Sequence, residues 1–135
     1  MTDMLPTATQ ILAIDDDPDL LELMSKMLSR IGAVTRLAET ASDGLSALES
    51  EHYDLLILDL MLPDIDGYEV LTRIRADSRF DDMPILILSA RADPEAISRG
   101  YEIGADGYLV KPYLPNTLTS RVRALLAQGR RIADS

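Results

Sequence analysis

Ile11-Leu12-Ala13-Ile14-Asp15-Asp16-Asp17-Pro18 decides the fold: four apolar residues run straight into three carboxylates and a proline. A run that is apolar at every position, rather than at alternate ones, suits a strand covered on both faces, as in a parallel sheet. Three other segments follow the same pattern. Leu55-Leu56-Ile57-Leu58 runs into Asp59, Ile85-Leu86-Ile87-Leu88 into Ser89, and Tyr108-Leu109-Val110 into Lys111-Pro112. Ligands of open α/β sheets bind beyond the carboxyl ends of such strands. If the four segments lie side by side, carboxylates, a hydroxyl and an ammonium meet at one edge. That inventory suits a divalent cation and a phosphoryl group better than an organic substrate.

Working outward, Asp17-Pro18 reads as a helix cap followed by a proline at the first helical position. Leu20, Leu21, Met24, Met27, Leu28 and Ile31 then recur at helical spacing until Gly32. Strands are predicted over 10–14, 34–38, 54–58, 85–88 and 107–110. A second helix is predicted over 41–50, with Leu45 and Leu48 inward. A third opens at Gly67 with Val70, Leu71 and Ile74 inward. A fourth starts at Asp93-Pro94 and ends near Gly104, and a fifth covers 115–128 with Leu118, Val122, Leu125 and Leu126. Five strand–helix alternations mean an α/β fold, a parallel sheet flanked by helices.

At 135 residues the chain fits one domain with a real core. A formal net charge of −10 repels phosphate backbones, so direct nucleic-acid binding is disfavoured without a separate basic module. The absence of cysteine excludes disulfides, thiolate metal sites and cysteine nucleophiles. No basic, apolar leader opens the sequence and no run reaches membrane-spanning length, so a cytoplasmic protein without membrane contact is expected.

Each polar strand end has an ordinary reading. Acidic runs are usually solvated, a strand-end lysine can snorkel to solvent, and Ser89 alone is a common strand-end hydroxyl. The shift toward a site comes from two buried strands ending in Asp. Crowded carboxylates repel one another, and a hard divalent cation that prefers oxygen ligands relieves that repulsion. Lys111 near Asp59 would form an ion pair and later hold a phosphoryl oxygen. Lys111-Pro112 is a candidate cis bond. Asp64-Ile65-Asp66-Gly67 fails as a calcium loop, because Leu62 and Arg73 fall at the first and last ligand positions. The acidic turn after the first strand opposes a nucleotide or flavin phosphate. His52, the sole histidine, falls on a polar loop and serves no catalytic dyad.

Ile14-Asp15-Asp16-Asp17, Leu58-Asp59, Met61-Leu62-Pro63, Asp66-Gly67, Leu88-Ser89-Ala90 and the run from Gly104-Ala105-Asp106-Gly107 through Tyr108-Leu109-Val110-Lys111-Pro112 together resemble the receiver domain of bacterial two-component response regulators. The ordered set is specific although each fragment is weak. The resemblance implies a doubly wound, flavodoxin-like sheet of order 2-1-3-4-5 with five helices. It divides the chain into a flexible leader over 1–9, the receiver over 10–128 and a tail over 129–135. It implies Asp59 as phospho-acceptor from a histidine kinase or phosphotransfer protein. Mg2+ would be held by Asp15, Asp16, Asp59 and the main-chain carbonyl of Met61. Ser89 and Lys111 would contact the phosphoryl group, and Ser89 with Tyr108 would form the switch toward a downstream effector. Such a domain is a signalling module with slow self-catalysed phosphorylation and dephosphorylation, not an enzyme in the usual sense.

Two departures bear on output. The family branch with winged-helix effectors tends to carry a second Asp before the switch aromatic and a Glu in the last helix. Here those positions are Gly107 and Thr117. That disfavours the branch's charged dimer and favours a monomer that binds another protein, either as a stand-alone receiver or as one domain of a larger one. A phosphatase of the haloacid dehalogenase type would need an Asp where Met61 stands.

Overall fold

The computed structural model describes residues 4–6 and 8–129. Its elements are β1 (Thr9–Ile14), α1 (Pro18–Ser29), β2 (Ala33–Ala38), α2 (Ala41–Ser50), β3 (Leu55–Asp59), α3 (Gly67–Arg75), a 3₁₀ turn (Ser78–Phe80), β4 (Ile85–Ser89), α4 (Pro94–Ile103), β5 (Gly107–Val110) and α5 (Pro115–Gln128). The five strands form one parallel sheet in the order β2-β1-β3-β4-β5.

Continuous apolar runs are explained by burial on both faces. Leu12, Ile14, Leu56, Leu58, Ile85 and Ile87 face a core completed by Leu48, Val70, Leu71 and Ile74 from α2 and α3. Their alternates, Ile11, Ala13, Leu55, Ile57, Leu86 and Leu88, face Leu21, Met24 and Leu28 of α1 and Leu118 and Val122 of α5. Successive strand side chains point to opposite faces, so every position of a central strand is covered. The five residues of β3 and of β4 are all buried.

The predicted helix starts hold at the cap level. The Asp17 carboxylate accepts from the Asp19 and Leu20 N–H groups, and Asp93 accepts from Ala96. The boundaries differ where hydrogen bonding decides them. α1 stops at Ser29, and Ile31 and Gly32 close a tightened last turn on Leu28 and Ser29, with Gly32 at φ +98°. β1 and β2 each begin one residue earlier than predicted, because Thr9 pairs with Ala33. β3 shifts by one residue and takes in Asp59, while the Asp54 carboxylate accepts from Gln10 N–H at its entry. The expected leader lies outside the described residues at 1–3 and 7; Leu5 N–H donates to Ile31 O at 2.6 Å. Of the expected tail, 130–135 lie outside the described residues.

At the edge opposite the strand ends, Arg75 is a buried clamp. It donates to the carbonyls of Gly104, Phe80 and Met83 and pairs with Asp106 at 2.8 Å, while Asp106 also accepts from Ile85 N–H. No local pattern marks this role, because Arg75 reads as an ordinary basic residue in the last turn of a helix.

Candidate functional site

Register alone brings the polar strand ends together. Ile14 pairs with Leu58, so Asp15 lies beside Asp59. Asp59 pairs with Leu88, which puts Ser89 one step beyond it, and Ser89 pairs with Val110, which puts Lys111 one step further. Asp15, Asp59 and Ser89 are almost fully buried, whereas Asp16 is exposed.

Asp15 accepts from Asp17 N–H at 3.0 Å through Oδ1 and from Lys111 Nζ at 2.9 Å through Oδ2. The same ammonium lies 3.4 Å from Asp59 Oδ2. The expected ion pair of Lys111 with Asp59 is therefore shared, and Asp15 takes the shorter bond. Lys111 leaves β5 through a cis bond to Pro112, as expected. Asp59 Oδ1 accepts from Met61 N–H at 3.1 Å.

Burial pushes the Asp59 carboxyl up to about 6; the Met61 N–H opposes this, the neighbouring Asp15 charge adds to it, and Lys111 offsets part of the rise. For Lys111, burial acts to lower the ammonium, but the hydrogen bond and charge of Asp15, followed by the charge of Asp59, raise it on balance. One carboxylate oxygen from each of Asp15, Asp16 and Asp59 lies within 4.8 Å of the others. Clustered oxygens, one of them held reluctantly ionised, fit a hard divalent cation that keeps several waters. The acidic pocket is compatible with Mg2+. A groove of about 460 Å³ opens beside it, lined by Asp16 and by residues of the loop after β3, including Met61, Asp64 and Asp66.

Ser89 and Tyr108 share one partner that sequence reading did not find. Ser89 Oγ accepts from Arg91 N–H at 3.0 Å, and the Tyr108 hydroxyl donates to Arg91 O at 2.9 Å. Both switch candidates thus grip the same residue. Tyr108 is buried, at 6 % exposure, with its ring in the core against Gly100 of α4. Tyr68, also missed, donates its hydroxyl to Ala96 O of α4 at 3.0 Å and carries the Arg99 guanidinium 4.1 Å from its ring centroid. His52 is exposed beside Asp54.

A doubly wound α/β domain with carboxylates, a hydroxyl and a lysine at its carboxyl edge defines a flavodoxin-like signalling domain of the receiver type. The family model for the response regulator receiver domain matches residues 11–123. The chain is 42 % identical over 121 residues to the transcriptional regulatory protein AfsQ1 of Streptomyces coelicolor, covering 90 % of this chain and 52 % of that protein. It is 41 % identical over 120 residues to the DNA-binding response regulator MtrA of Mycolicibacterium smegmatis, covering 89 % and 51 %. Among solved structures, the BeF3-activated DrrB receiver domain superposes with a TM-score of 0.80 at 32 % identity, covering 90 % of this chain and 99 % of that one. A putative response regulator from Chloroflexus aurantiacus gives 0.84 at 36 %, with the same coverage. The chain belongs to the response regulator receiver family, whose work is phosphorylation-based signalling. It spans about half the length of the curated relatives it matches. No helix among the described residues is long and apolar enough to cross a membrane.

Proposed function

We propose that Asp59 accepts a phosphoryl group from the phosphohistidine of a kinase or phosphotransfer protein, and that the acyl phosphate so formed changes a protein-contact surface. The observation that carries this reading is the Asp59 carboxylate itself. It is buried at a strand end, bonded by Met61 N–H and faced by Lys111, within one cluster with Asp15 and Asp16. An Asp59 oxygen attacks phosphorus, a new O–P bond forms, and the P–N bond to the donor histidine breaks with its electron pair returning to the imidazole. Lys111 neutralises charge on the transferring oxygens, and the Ser89 hydroxyl, which accepts from Arg91 N–H, donates its own proton to one of them. Mg2+ bound by Asp15, Asp16, Asp59 and the Met61 carbonyl would supply the remaining positive charge. Hydrolysis of the acyl phosphate by water resets the domain slowly, since Met61 stands where a general acid would speed it.

Output leaves through α4, β5 and α5, because Ser89 and Tyr108 meet at Arg91 on the inner edge of that surface. The target is an effector domain or a separate protein, in a cytoplasmic pathway. The test is incubation with Mg2+ and phosphoramidate followed by intact-mass measurement. Wild type gains one phosphoryl group and Asp59→Asn gains none, while Asp16→Ala loses Mg2+ affinity and phosphorylation together. Full phosphorylation of Asp59→Asn would move the acceptor elsewhere.

A further inference from the structure

The loop between β3 and α3 carries Met61, and its position decides whether the Met61 peptide meets Asp59. At its base the loop is cinched: Leu60 N–H donates to Leu88 O at 3.3 Å and Gly67 N–H to Leu60 O at 3.0 Å. Gly67 sits so close to the Leu60 backbone that a Cβ would overlap it. Its tip is tied to a different part of the molecule. Asp64 Oδ1 accepts from Ala41 N–H and Oδ2 from Ser42 N–H, each at 2.9 Å. These are the first two residues of α2, whose amino-terminal N–H groups have no partner within the helix.

We propose that Asp64 is a positioning residue for the phosphoryl site, holding the loop that carries Met61 in register with the acidic end of β1. This rests on the phospho-acceptor reading above. Three observations separate that role from simple capping. First, α2 has its own cap: Thr40 Oγ1 accepts from Asp43 N–H at 3.1 Å. Second, Asp64 is exposed and contributes nothing to the core. Its carboxyl is held below the usual carboxylate range, chiefly by the Ser42 N–H and further by that of Ala41, so it stays charged against the positive end of the helix. Third, α2 is keyed to β1. Ala41 is fully buried, and Gly44 lies so close to the Ile14 side chain that a Cβ would overlap it. Ile14 immediately precedes Asp15 and Asp16.

A closed circuit follows. Asp59 and Met61 lie on one branch, Asp15 and Asp16 on the other, and Asp64 joins the branches through α2. The groove beside the site has the loop as one wall and Asp16 on the other side, so a loosened loop tip moves Met61 and Asp66 relative to Asp16. Pro63, next to Asp64, restricts the backbone and helps transmit the restraint toward Met61.

The experiment compares Asp64→Ala with Thr40→Ala, which removes a cap from the same helix end without touching the loop. Mg2+ binding is read by calorimetry, loop protection by amide exchange over 60–66, and phosphorylation by the phosphoramidate rate against Mg2+ concentration. Groups that orient metal ligands typically matter by 10- to 100-fold, so Asp64→Ala should raise the half-saturating Mg2+ concentration about tenfold. The rate at saturating Mg2+ should stay near that of wild type, and exchange over 60–66 should quicken. Asp64→Asn, which keeps one acceptor oxygen, should recover part of the affinity. Thr40→Ala should lose thermal stability with no change in Mg2+ affinity. If Asp64→Ala does not fold, Asp64→Asn against Thr40→Ala makes the same comparison. Equal Mg2+ affinity in the Asp64 and Thr40 variants overturns the positioning role alone. A wild type that neither binds Mg2+ nor accepts a phosphoryl group overturns the phospho-acceptor reading and this inference with it.

Discussion

Replacing Asp59 with Asn should stabilise the metal-free protein, and the gain should depend on pH in a defined direction. Burial raises the folded-state Asp59 from the ordinary 3.8 to about 6, so the folded protein holds this proton more tightly than the unfolded chain does. The stability contributed by the protonated carboxyl is complete below about pH 4 and is lost as pH rises through about 6. Above that, the ionised carboxylate costs the fold about 3 kcal/mol, reduced to about 2 kcal/mol by solvent screening at the mouth of the site. Asn keeps an oxygen for the Met61 N–H and carries no charge, and Lys111 keeps its shorter bond to Asp15. Near neutral pH in EDTA, the variant should therefore melt roughly 6–10 °C above wild type by circular dichroism. The difference should shrink toward zero below about pH 4, where both side chains are neutral. Adding Mg2+ should close the gap from the other side, because the cation stabilises the ionised wild-type cluster. Equal melting temperatures near neutral pH, or a gain that persists at low pH, would refute the assignment of strain to the ionised Asp59.

Three further outcomes are expected. Arg75→Met takes the cation from the buried Asp106 carboxylate and a donor from three carbonyls, so urea unfolding should show a loss of about 3–5 kcal/mol; a loss under about 1 kcal/mol would contradict the clamp. Gly67→Ala places a methyl against the Leu60 backbone and should cost about 1–3 kcal/mol while slowing phosphorylation of Asp59; stability and rate equal to wild type would show that the loop has room. Amide exchange with beryllofluoride and Mg2+ should change most over 90–118, and changes limited to 15–17 and 59 would mean that phosphate is bound without transmission.

The reach of local pattern explains what could be read before folding. Strand and helix identities follow from periodicity and caps: the unbroken Leu55-Leu56-Ile57-Leu58 run, and Asp17-Pro18 and Asp93-Pro94 at helix starts. The candidate site was legible for the same reason, since a parallel sheet places every strand's carboxyl end on one edge and the chemistry-bearing residues sit at those ends. The strand order came through resemblance of the motif set, because pairing order is not encoded in any single strand. Contacts between residues distant in sequence lay beyond any local pattern. Lys111 gives its shorter bond to Asp15 rather than Asp59, a partner 96 residues away in the chain. Tyr108 and Ser89 converge on Arg91, Arg75 reaches Asp106 across 31 residues, and Asp64 caps a helix 22 and 23 residues before it. Side-chain hydrogen bonds of this kind carry no periodic signature. An exposed Asp in a loop and a basic residue at a helix end look the same in sequence whether they face water or a distant backbone, and only packing of the sheet and its helices decides between the two.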